Sequence, residues 1–153
     1  MRHPVLLLSV AILLLALPGS AIASASYPVT IVVQTDFGQF ENPFSATGEA
    51  VNEGLICPSG TVHDGKYVAA CRKDGAGCNF RIEKVFACDG VESFTINLQA
   101  HVIFDPYNDV GTWTILHGWG DYARIHGHGT LEGIRWGGGV GVTDTYIGLI
   151  HED

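Results

Sequence analysis

The chain has 153 residues, 46% of them hydrophobic, which suffices for one domain with a true core. Eight Lys and Arg stand against 16 Asp and Glu, giving a formal charge of −8. That balance, with no basic cluster, argues against nucleic acid and anionic membranes as partners.

Arg2 and His3 precede an apolar run from Val5 to Leu17, which Pro18-Gly19-Ser20 breaks. Ala21-Ile22-Ala23 and Ala23-Ser24-Ala25 each offer the small-x-small pattern of a signal-peptidase site. The run falls short of the roughly 20 residues a membrane-spanning helix needs. A signal peptide over 1–25 is therefore expected, with an uncleaved anchor as the alternative. The expected mature domain is 26–153, secreted or periplasmic.

Beyond residue 26 the chain reads as strands. Val29, Ile31, Val33, Thr35 and Phe37 alternate with their neighbours, and Phe44–Val51 and Thr61–Val68 follow as candidates. Next come Asn79–Cys88 and the clearest alternation, Phe94, Ile96, Leu98, Ala100, Val102 and Phe104. Gly111–His117, Gly127–Gly133 and Gly139–His151 complete the series, and Asp121–Ile125 is a candidate helical turn. Turn signals such as Pro58-Ser59-Gly60, Asp89-Gly90 and Gly137-Gly138-Gly139 separate them. Seven or eight short strands at this spacing predict a sandwich or a closed barrel.

All four cysteines fall in the mature part, where an even count predicts two disulfides. Spacing favours a nested arrangement, Cys71–Cys78 inside Cys57–Cys88, nearly in register across one hairpin with room for a bulge. Even separations along each arm keep the sulfurs on one strand face. The rival reading, a zinc site, lacks a Cys-x-x-Cys pair.

Residues 117–130, HGWGDYARIHGHGT, are the densest group of ligand-type side chains. His126 and His128 share a strand face about 7 Å apart. His117 would be a third zinc ligand, with Asp121 orienting a histidine. The opposing reading makes Gly127 and Gly129 scaffold, placed for close backbone approach, with the histidines on the outer or rim surface. Scaffold is preferred, so no metal and no cofactor are expected. Gly118 and Gly120 lack the third glycine and long helix of a phosphate loop. Gly120 is expected to shape the turn and Tyr122 to plug the barrel end.

Other groups are weaker. Asp105, Asn108 and Asp109 are a candidate calcium loop without EF-hand spacing, and a plain turn is preferred. Arg81 and Glu83 are expected as a solvated pair, because Phe80 and Ile82 take the inner face. Ser59 and Ser93 sit in no nucleophile elbow. Catalytic residues are unassigned.

Gly111-Thr112-Trp113, Gly118-Trp119-Gly120-Asp121-Tyr122-Ala123, Gly127-His128-Gly129-Thr130 and Asp144-Thr145-Tyr146 form a recognisable series. It resembles the pattern of small secreted bacterial proteins with the allene oxide cyclase-like barrel, a turn of which is shared with dirigent proteins. Cys57-Pro58-Ser59-Gly60 and Phe86-Ala87-Cys88-Asp89-Gly90 resemble the same group and support the outer disulfide. The resemblance implies an all-β, eight-stranded antiparallel closed β-barrel of calycin-like form around an apolar cavity, with homo-oligomerisation open. No stretch matches the catalytic segments of the plant relatives. The function expected is interior binding of a small apolar ligand. The alternatives are a cofactor-free isomerase or cyclase, and a purely structural extracellular barrel packed solid.

Overall fold

The computed structural model describes residues 24–153. Nearly all of the expected signal peptide, 1–25, lies outside the described residues. Eight strands run in chain order: β1 (Tyr27–Asp36), β2 (Glu41–Thr47), β3 (Ser59–Cys71), β4 (Gly77–Cys88), β5 (Val91–Phe104), β6 (Tyr107–Gly118), β7 (Ile125–Arg135) and β8 (Gly141–Glu152). Each pairs antiparallel with its chain neighbour, and β1 pairs with β8, so the sheet closes into a barrel. The choice between sandwich and barrel is thereby settled. Every strand has a neighbour on both sides, although Tyr67–Cys71 of β3 pair with β4 alone.

Alternation decides which side chains face inward. On β5 the even residues from Phe94 to Val102 are buried, and Phe104 emerges at the strand end, 41% exposed. On β1, Val29, Ile31 and Val33 are buried and Thr35 is half-buried. Two expected elements differ. The strand proposed over Phe44–Val51 stops at Thr47, and Glu49–Asn52 forms one helical turn, α1. Gly48 adopts φ 114°, outside the range of an L-residue in a strand, and turns the chain there. The expected turn over Asp105–Asp109 is tighter than composition suggests, because β6 already begins at Tyr107.

The interior divides along the barrel axis. Toward the start of β1, α1 and the β2–β3 connection close the end, burying Ala50 and Ile56. Phe86 and Phe94 stack beneath them at 4.8 Å, with Phe44 edge-on to Phe86 at 5.1 Å and Tyr146 at 6.4 Å. Both predicted disulfides form, and they sit at different ends. Cys57–Cys88 ties the β2–β3 connection to the end of β4, whereas Cys71–Cys78 joins facing residues near the tip of the β3–β4 hairpin. Among the described residues no helix is long and apolar enough to cross a membrane.

Candidate functional site

The segment 117–130 is built as scaffold. Gly127 and Gly129 lie on the inward face of β7, between buried Ile125 and Leu131. A Cβ on Gly129 would stand 2.7 Å from Trp113 Nε1, and one on Gly148 would stand 2.5 Å from the same indole. Trp113, Gly129 and Gly148 face one another across β6, β7 and β8. Two missing side chains thus make the space that a fully buried tryptophan fills, and its Nε1 donates to the Thr130 carbonyl at 3.1 Å. Gly120 has φ 56° and starts a 3-10 turn, Gly120–Tyr122, where the sequence suggested a helical turn slightly later. Gly118 packs against the backbone of Tyr122, whose ring lies 6.2 Å from Phe94 at the packed end.

The histidines face outward. His126 and His128 are exposed on β7, and His126 Nε2 is 3.0 Å from Asp153 Oδ2. His117 instead packs edge-on against Trp119 at 4.5 Å. Among the described residues, no three His, Cys, Asp or Glu side chains converge as metal ligands.

The open half of the barrel carries the chemistry. A cavity of about 230 Å³ lies there, and seven strands contribute to its lining. Its wall is apolar: Phe80, Ile82, Leu98, Ala100, Val102 and Leu131. Phe37, 58% exposed, and Phe104 rim the mouth with Tyr107 and Arg135. Arg81 and Glu83 lie on the outer face, as the inward placing of Phe80 and Ile82 required.

The floor is charged. Lys84 is inward on β4, directly across from Asp64 on β3, and its ammonium pairs with that carboxylate at 2.5 Å. A second row crosses β6, β7 and β8 as Asp109, Gly133 and Asp144. A Cβ on Gly133 would meet Asp109 Oδ2 at 2.8 Å and Asp144 Oδ1 at 2.9 Å, so both carboxylates lean over the glycine. Thr35 Oγ1 donates to Asp144 Oδ2 at 3.3 Å, and the Tyr107 hydroxyl donates to Asp109 Oδ2 at 3.2 Å. The remaining oxygens, Asp109 Oδ1 and Asp144 Oδ1, are buried without a partner, as is the Tyr146 hydroxyl.

Burial determines how these groups titrate. The Asp144 carboxyl is pushed up to about 7, chiefly by desolvation, with the Lys84 charge opposing and Asp109 adding to the rise. Desolvation also raises Asp109, against the hydrogen bond from Tyr107 and the charge of Lys84. The Tyr107 hydroxyl is raised by burial and then by the charge of Asp109 beside it. Near neutral pH, Asp144 therefore exchanges a proton at the charged floor of an apolar-walled chamber.

Sequence reasoning placed Asp109 in a plain turn with Asp105 and Asn108. The structure separates the three, because Asn108 is exposed while Asp109 turns inward as the third residue of β6. Lys84 and Asp144 were missed as interior groups, yet parity marks both. Lys84 continues the inward series of Phe80, Ile82 and Phe86, and Asp144 sits between inward Val142 and Tyr146. The chain matches no protein-family model, no characterised protein and no solved structure.

Proposed function

We propose that the chain is an exported binding protein that takes a small, mainly apolar molecule into the open half of its barrel. One observation carries this reading: an apolar-walled cavity ending on two buried carboxylates, each with one oxygen that lacks a hydrogen-bond partner. Apolar walls drive entry by burial, and a few convergent polar groups fix orientation. A cavity of about 150 Å³ is enough to hold benzene, so about 230 Å³ suits one ring bearing a short chain. Two disulfides suit an oxidising compartment and support export. The likeness of the glycine motifs to those of allene oxide cyclase-like barrels supports a hollow interior.

The test is titration with 2-phenylethanol followed by calorimetry. One molecule is expected to bind per chain, and Ala100→Phe, which fills the cavity wall, abolishes the heat while leaving the melting transition cooperative. Binding that survives Ala100→Phe unchanged places the ligand elsewhere and sinks the reading.

A cofactor-free isomerase or cyclase is the second reading. Its support is Asp144, a carboxyl that holds a proton near neutral pH beside a second carboxyl. Turnover lost in Asp144→Asn with ligand affinity retained distinguishes catalysis from storage or transport.

A further inference from the structure

We propose that the cavity is built for an organic cation: an ammonium group carried on an apolar body of one ring and a short chain. This deepens the binding reading above and rests on it.

Charge inside the chamber is unbalanced. Asp64, Asp109 and Asp144 line it against only Lys84 and Arg135. Lys84 is engaged by Asp64, and Arg135 is held at the rim, 5.6 Å over the Tyr107 ring, with its guanidinium 3.5 Å from the Gly139 carbonyl. Neither cation forms an ion pair with Asp109 or Asp144 among the described residues. The two carboxyls are 9% and 5% exposed, and each keeps one oxygen without a donor.

Hydrogen-bond capacity points the same way. Thr35 and Tyr107 are already spent on the other carboxylate oxygens, and the unpartnered Tyr146 hydroxyl makes no hydrogen bond to the row. What the row lacks is donors and positive charge together. A ligand hydroxyl brings one donor and no charge, whereas an ammonium brings three donors and a charge. Such charge-assisted bonds are about twice as strong as neutral ones. The rings of Phe37, Phe80 and Phe104 line the cavity beside Tyr107, whose own ring already carries Arg135, and aromatic rings accept cations on their faces. An anionic ligand would meet the carboxylates unfavourably. A bare metal ion fits worse, because no three ligating side chains converge among the described residues.

The groups facing the row are Asp64 from β3, Lys84 from β4, Tyr107 from the start of β6, Arg135 from β7 and Tyr146 from β8. Burial raises the Asp144 carboxyl to about 7, so an entering ammonium displaces its proton. Binding should then release protons near pH 7 and weaken as acid restores them.

Three probes with matched bodies test this by calorimetry at about pH 8, where both the amine and Asp144 are charged: 2-phenylethylamine, 2-phenylethanol and 3-phenylpropionate. The amine is expected to bind at least about 10-fold more tightly than the alcohol, and the acid most weakly. Asp144→Asn should narrow the amine–alcohol gap to about 3-fold or less, and Asp109→Asn checks the same gap in case the first variant misfolds. Lowering the pH to about 6 should weaken the amine alone. If the alcohol or the acid binds as tightly as the amine, the cation inference is overturned while the pocket stands. If none of the three binds, the binding reading falls with it.

Discussion

The two halves of this barrel are made from the same strands and solve opposite problems. In the packed half, glycines on β7 and β8 remove side chains so that Trp113 fills the space, and Phe44, Phe86, Phe94 and Tyr146 interlock. In the open half, Gly133 again removes a side chain, but two carboxylates lean into that place and a cavity remains. One substitution pattern, a glycine between two inward neighbours on adjacent strands, therefore serves both density and vacancy. What differs is the neighbour: an indole saturates its surroundings by contact, whereas unpaired carboxylates hold their surroundings short of donors.

Breaking the packed half should cost most. Trp113→Ala is expected to destabilise the fold by about 3–5 kcal/mol in denaturant melts, since it empties a fully buried site flanked by two glycines that cannot collapse into it. The disulfides extend the contrast. Removing Cys57–Cys88, 31 residues apart, should cost about 4 kcal/mol, and removing Cys71–Cys78, 7 apart, about 2 kcal/mol. Equal losses would show that the ends are not ranked by chain entropy.

The open half should respond with the opposite sign. The Asp144 carboxyl is raised to about 7 in the folded chain, against about 3.9 when unfolded. The folded state thus binds that proton more tightly, so its contribution is full below about pH 4 and is lost as pH rises through about 7. Asp144→Asn should remove that slope and stabilise the protein above neutrality by about 1–3 kcal/mol, read from melting curves across pH. A variant that is no more stable at about pH 8 than the parent would mean that the Asp144 charge is already compensated. Smallest of all, His126→Ala should shift stability by less than about 0.5 kcal/mol, because its pairing with Asp153 is exposed.

Legibility in the sequence follows the same division. Strand alternation, turn residues and cysteine spacing are local signals, so the strands and the nested disulfides could be read directly. Closure was expected only from the resemblance of the glycine motifs, and the barrel bears it out; no local pattern announces it, because β1 meets β8 across nearly the whole domain. The candidate site was concealed for a different reason. Charged residues are expected outside, so Lys84 and Asp144 were not followed inward, although each lies in phase with inward neighbours on both sides. Asp109 was concealed by composition, since Asp-Pro-Tyr-Asn-Asp reads as a turn until β6 is seen to start at Tyr107. Parity taken without exemption for charge would have found all three once the strand starts were known.

Tyr27 at the start of β1 lies opposite Ile150 near the end of β8, beside the packed end. A fusion partner or surface attachment joined ahead of Tyr27 or after Asp153 therefore hangs from the sealed pole. The aromatic mouth stays pointed away from the attachment, so the protein can be immobilised through either end with its entrance unobstructed.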